Sequence, residues 1–154
     1  MRPGTIFVDH STVSAKVSRE LAKLAAQKRF GYIDAPVSGG QIGAQKGVLS
    51  VMCGGDKNQF DKVEPLIACY SKSCILMGEI GTGQLTKMVN QICIAGLLQG
   101  LSEGLLFSER AGLDSNLVLE VISKGAAGSW QMENRGTTMV KNKFDFGFAV
   151  DWMR

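Results

Sequence analysis

The sequence predicts an α/β sheet followed by an all-helical region opened by a long helix, and three observations predict it. Up to about residue 80, short runs of β-formers alternate with stretches of helical periodicity. After Gly83 the apolar period becomes helical and stays so. The composition, 45% hydrophobic and 20% charged over 154 residues, is that of a chain able to bury a core. The pattern divides the chain into residues 1–80, a sheet-bearing part, and residues 81–154, a helical part.

Thr5-Ile6-Phe7-Val8 reads as a strand that feeds a helix through the capping residues Asp9 to Thr12. From Ser14 to Lys28, Val17, Leu21, Leu24 and Ala25 recur at helical spacing, which predicts a helix burying that face until Gly31 stops it. Tyr32 to Val37, Val48 to Cys53 and Cys74 to Met77 read as strands, with a helix over Lys57 to Tyr70. The segment from Val37 to Val48 is too short for a helical crossover and suggests a hairpin-like connection, hence a mixed sheet. Leu85, Met88, Val89, Ile92, Leu97, Leu101 and Leu105 then mark one long helix to about Ala111, apolar nearly all round from Ile92 to Leu98, so burial on several sides is expected. Gly112 to Ser115 ends it and caps a further helix over Leu117 to Ser123, and Gly125 and Gly128 break the chain before Ser129-Trp130-Gln131.

Several classes of function recede on composition. Seventeen basic against fourteen acidic side chains give +3 without a basic stripe, which argues against nucleic acid. Cys53, Cys69, Cys74 and Cys93 form no Cys-x-x-Cys pair and His10 is distant in sequence, so no metal site is expected, and free thiols suit a reducing compartment. No uninterrupted apolar run reaches the ~18 residues that span a bilayer, and the first one ends at Asp9, too early for a signal peptide. A cytoplasmic protein without a membrane segment is the expectation.

Two stretches carry chemistry. Ser38-Gly39-Gly40 follows a strand directly, and successive glycines allow backbone N–H groups to approach an anion with no Cβ in the way, with the serine hydroxyl as a further donor. That is the make-up of a carboxylate cradle, although a plain turn is the commoner use of such residues. Gly81-Thr82-Gly83 begins like a dinucleotide fingerprint but has Thr86 where the third glycine belongs. Lys87 falls in the first two turns of the long helix, where the helix dipole tends to lower its pKa, and Asn90 and Gln91 neighbour it on the helix surface. Lysine and amides in one stripe suit proton exchange with a hydroxyl, although most lysines near a helix start are simply solvated. Asp9 and Asp34 stand at turn or cap positions, and Trp130 and Trp152 read as packing residues.

Taken together, Asp34-Ala-Pro-Val-Ser-Gly-Gly40 and Gly81-Thr-Gly-Gln-Leu-Thr-Lys-Met-Val-Asn90 resemble the substrate-binding and catalytic-lysine segments of the β-hydroxyacid dehydrogenase family, and Phe7-Val-Asp-His-Ser-Thr12 resembles its strand and turn at the nicotinamide end. The resemblance runs the length of the chain, and three motifs in order are more specific than any one. It implies the C-terminal part of a Rossmann-like sheet followed by the helical domain, and reversible oxidation of a small β-hydroxy acid of the 3-hydroxyisobutyrate or 2-hydroxy-3-oxopropionate type with NAD or NADP. By the same resemblance Lys87 is the general acid/base, Ser38, Gly39 and Gly40 bind the substrate carboxylate, Asn90 positions the substrate, and Thr12 contacts the cofactor. Homo-oligomers are implied as well. No Gly-rich pyrophosphate turn precedes Thr5, and Asp145 to Arg154 resembles the approach to a Lys-Asp pair facing the nicotinamide, so the chain reads as an internal fragment or truncated product. A noncatalytic remnant serving as an oligomerisation or binding module is the alternative.

Overall fold

The structure, a computed structural model, describes residues 2–145. The sequence expectations for Trp152 and for the run from residue 146 to 154 lie outside the described residues. β1 (Ile6–Asp9) and β2 (Gly31–Asp34) pair in parallel, from Ile6 opposite Gly31 to Asp9 opposite Asp34. β3 (Val37–Ser38) and β2 lie along β4 (Leu49–Gly54) in one antiparallel register, with Asp34 opposite Gly54, Val37 opposite Val51 and Ser38 opposite Ser50. Between them the Pro36 carbonyl accepts the Met52 N–H at 3.0 Å, but proline supplies no N–H for the return bond, so the single strand expected over Tyr32–Val37 is interrupted there. β5 (Ser71–Gly78) adds to β4 in parallel. The sheet is therefore mixed, with β2 and β4 joined as the short connection implied.

That connection also holds a helix the periodicity did not reveal, α2 (Gly40–Gln45), whose six residues are too few to establish a period. α1 (Ala15–Gln27) is capped by the Ser14 side chain, and α3 (Lys57–Ile67) by that of Asp56. The sheet and α3 share a core of Ile33, Ala35, Val51, Cys53, Phe60 and Ile67.

α1 corrects the expected face. Of the four residues expected on that face only Ala25 is buried, together with Ala15 and Ser18, while Val17, Leu21 and Leu24 are 39%, 39% and 53% exposed. Helix and sheet approach through the smallest side chains, and the larger apolar ones turn outward.

α4 (Thr82–Arg110) is the long helix, followed by α5 (Ser115–Ile122), capped by Asp114, and α6 (Trp130–Val140), capped by Ser129. The backbone forms two compact units, Met1–Gln91 and Ile92–Arg154, with the division inside α4. In the second, Leu101, Leu119 and Met132 make a small core, and a Cβ at Gly136 would lie 2.7 Å from Leu119, which shows how closely α5 and α6 pack. Trp130, read as a packing residue, is 58% exposed and packs outside the core, with the Arg135 guanidinium 5.6 Å from its ring. The apolar girdle of α4, expected to be buried on several sides, is likewise exposed, Ile92 by 73% and Leu97 by 44%.

By length and composition α4 is apolar enough to cross a membrane, contrary to the expectation from uninterrupted runs. The averaged hydropathy tolerates Gln91, Gln99 and Ser102, which a count of consecutive apolar residues does not.

Candidate functional site

The site is built around the start of α4. Asp34 ends β2 completely buried, and its carboxylate accepts the Gly81 N–H at 2.7 Å and the Gln84 N–H at 2.9 Å. The first N–H groups of a helix have no intrahelical acceptor, so this aspartate caps α4 from a distant strand. The close approach explains the glycines. A Cβ at Gly83 would stand 2.3 Å from the Met52 carbonyl oxygen, and one at Gly54 would stand 2.5 Å from Asp34 Oδ1. Gly81-Thr82-Gly83 is thus pressed against strand ends, and the N–H groups of Gly81, Thr82 and Gln84 are already bonded to Asp34 and to the Glu79 carbonyl.

Gln84 is 0% exposed, and both ends of its amide are used. Its Oε1 accepts the Val13 N–H at 3.1 Å, and its Nε2 donates to the Ser11 carbonyl at 2.7 Å. The loop following β1 is therefore tied to the first turn of α4. Between those two anchors Thr12 is exposed and makes no hydrogen bond within the described residues. Asp9, which also supports this loop, accepts the Ser11 N–H and the Tyr32 hydroxyl. Burial pushes the Asp9 carboxyl up, but the hydrogen bonds from Tyr32 and Ser11 outweigh it and hold it below the usual range. On the same loop His10 bonds the Ala35 carbonyl through Nδ1 at 2.6 Å and the Tyr70 hydroxyl through Nε2 at 2.9 Å. Asp9 and Asp34 are structural, as expected, but each is paired in ways the linear sequence hides.

Lys87 stands one turn beyond Gln84, on the same face of α4. It is 9% exposed, and its ammonium has no hydrogen-bond or ion-pair partner among the described residues. Burial holds its pKa below the usual lysine value, where the sequence had pointed to the helix dipole. Asn90 follows by another turn, its Nδ2 donating to Gln91 Oε1 at 2.9 Å. Gln84, Lys87 and Asn90 form one polar stripe, of which periodicity located the last two.

Ser38 ends β3 opposite Ser50, and Gly39 and Gly40 open α2 with φ of 132° and 60°. A Cβ at Gly40 would meet nothing within 4 Å, so this side of the corner is open, whereas one at Gly39 would stand 3.0 Å from Leu49. No hydrogen bond joins Ser38, Gly39 or Gly40 to Lys87 or Asn90.

The donor set fits one end of a nicotinamide dinucleotide. Ser11 and Thr12 are exposed at the carboxyl end of a parallel strand, where ligands collect in open α/β sheets, and they lie beside the helix that carries the buried lysine. Among the described residues no cluster of His, Cys, Asp and Glu is suited to a metal ion.

Residues 1–78 match the family model for the NAD binding domain of 6-phosphogluconate dehydrogenase, and residues 81–154 match that for NAD-binding of NADP-dependent 3-hydroxyisobutyrate dehydrogenase. An uncharacterized oxidoreductase of Shewanella frigidimarina is 60% identical over 154 residues, which are 100% of this chain and 53% of the relative. The 2-hydroxy-3-oxopropionate reductase of Escherichia coli is 40% identical over 147 residues, 96% of this chain and 50% of that protein. The crystal structure of 3-hydroxyisobutyrate dehydrogenase from Salmonella typhimurium superposes with a TM-score of 0.84 at 27% identity, over 94% of this chain and 51% of that one. The chain spans about half the length of the curated relatives it matches.

Proposed function

The chain belongs to the β-hydroxyacid dehydrogenase family, and from that premise we propose that its protein is a cytoplasmic NAD- or NADP-dependent oxidoreductase of a small β-hydroxy acid, of the 3-hydroxyisobutyrate or 2-hydroxy-3-oxopropionate type. The observation that carries the reading is Lys87, a buried lysine without a partner among the described residues, set between Gln84 and Asn90 on one helix face.

A lysine taken out of water favours its neutral form, and a neutral amine accepts a hydroxyl proton. In the direction of oxidation Lys87 Nζ takes the proton of the substrate hydroxyl, and in reduction it returns one to the carbonyl oxygen. When bound, the nicotinamide supplies the two-electron redox partner at the adjoining carbon. Ser38 and the backbone N–H groups of Gly39 and Gly40 hold the substrate carboxylate. The Asn90 amide orients the hydroxyl against Lys87, and Thr12 contacts the nicotinamide end of the cofactor.

The protein works as a homo-oligomer, a reading supported by the apolar side chains left outside, among them Ile92, Phe107, Leu117 and Val121. In this account α4 is a core helix of an assembled enzyme rather than a membrane span. The two domains of this reading are residues 1–80 and 81–154, the second opened by α4.

The test is turnover of the intact protein with 3-hydroxyisobutyrate and with 2-hydroxy-3-oxopropionate, each with both nucleotides. Nucleotide-dependent turnover of one of these acids is expected. Absence of turnover with any short β-hydroxy acid by folded, nucleotide-binding protein would overturn the reading in favour of a noncatalytic association module.

A further inference from the structure

We infer that Gln84 is a positioning residue that sets the Thr12 loop against Lys87, by gripping the backbone on either side of Thr12 with the two ends of one buried amide. The inference rests on the reading in which Thr12 meets the nicotinamide and Lys87 the substrate hydroxyl.

The geometry is specific to glutamine. The Val13 N–H requires an acceptor and the Ser11 carbonyl a donor, and Gln84 provides both at 3.1 and 2.7 Å. Glutamate offers only acceptors when ionised, lysine only donors, and asparagine is one carbon shorter. A fully buried amide is unfavourable unless both ends are bonded, and here they are.

The anchor is itself held. The Gln84 backbone N–H is bound by Asp34, and Gly83 before it is pressed onto Met52, so the amide projects from a fixed point on α4. Lys87 projects from the same face one turn later. Loop and lysine thus share one rigid reference, and hydride transfer requires that kind of registry between the group holding the nicotinamide and the group holding the hydroxyl. Without the amide the residues around Thr12 keep the Asp9 contact at Ser11, the bonds of His10 to Ala35 and Tyr70, and the Ser14 cap of α1, none of which touches Thr12 or Val13 N–H.

The experiment compares Gln84→Met and Gln84→Glu with the wild type in the intact protein. Amide hydrogen exchange is read at Val13 and at Gly81, and NADH and NADPH affinity by calorimetry. In Gln84→Met, Val13 is expected to exchange at least tenfold faster while Gly81, held by Asp34, is unchanged. Nucleotide affinity is expected to fall about tenfold, about 1.4 kcal/mol, with the pH dependence set by Lys87 preserved. Gln84→Glu keeps the acceptor for Val13 and is expected to restore its protection but not the whole affinity.

A loss of Val13 protection with unchanged nucleotide affinity would overturn the inference. So would faster exchange at Gly81 and Val13 alike, the mark of a merely structural residue. No nucleotide binding by wild-type protein would overturn it together with the role of Thr12, whereas binding without turnover would remove only the hydroxy-acid reading and leave the positioning result standing.

Discussion

The Asp34 carboxylate accepts the backbone N–H of Gln84 at 2.9 Å across fifty residues of sequence, so the end of β2 caps the helix that carries Lys87. Its other oxygen takes the Gly81 N–H at 2.7 Å, and the carboxylate is completely buried. Asp34→Ala leaves both N–H groups without an acceptor, each at a cost of about 1–3 kcal/mol. Denaturant unfolding is expected to show that loss, with no comparable loss in Asp56→Ala, whose carboxylate caps α3 at the surface.

With Gly40 in its proposed role at the substrate carboxylate, Gly40 and Gly83 are expected to separate substrate binding from folding. A Cβ at Gly40 meets nothing, so Gly40→Ala pays only the left-handed backbone strain, about 1 kcal/mol. It is expected to raise KM for the hydroxy acid while leaving nucleotide affinity unchanged. Gly83→Ala drives a methyl against the Met52 carbonyl and is expected to destabilise by about 3 kcal/mol, visible as a lower Tm whatever the ligand.

Lys87 imposes a pH dependence of definite sign. Burial favours its neutral form in the folded state, so the charged lysine subtracts from stability below its folded pKa. The penalty fades as pH rises through that value towards the ordinary 10.5, because the unfolded chain then holds the extra proton. Lys87→Met is expected to raise Tm at neutral pH, with the advantage shrinking at alkaline pH. Oxidation by the wild type is expected to gain from rising pH along the same limb, as the neutral amine accumulates.

Cys53 predicts the opposite trend at high pH. It is completely buried with its Sγ 3.7 Å from that of Cys74, and burial, followed by the neighbouring thiol, pushes its pKa far above the ordinary 9.0. Above 9.0 the unfolded thiol ionises first, so stability is expected to fall as pH rises. Thermal melts of Cys53→Ala are expected to start from a lower Tm at neutral pH and to lose less of it between neutral and alkaline pH.

Much of this was legible in the sequence where local patterns matched tertiary ones. The strand and helix alternation, the long helix and the stripe of Lys87 and Asn90 follow from periodicity, and the family motifs point to Ser38, Gly39, Gly40 and Thr12. What stayed hidden depends on residues distant in sequence. Gln84 looks like one more polar residue at a helix start until Ser11 and Val13 are seen beside it, and Gly83 looks like half a phosphate loop until Met52 fills the space. α1 misleads because its largest apolar side chains, Val17, Leu21 and Leu24, are not those it buries.

The central claim is that Lys87 moves the substrate proton, and the most direct test is Lys87→Ala in the intact protein, with turnover of the best β-hydroxy acid and nucleotide affinity measured side by side. The account predicts that turnover is lost and that affinity for NADH or NADPH stays within about threefold of wild type, a difference of less than 1 kcal/mol. Turnover retained in that variant would contradict it.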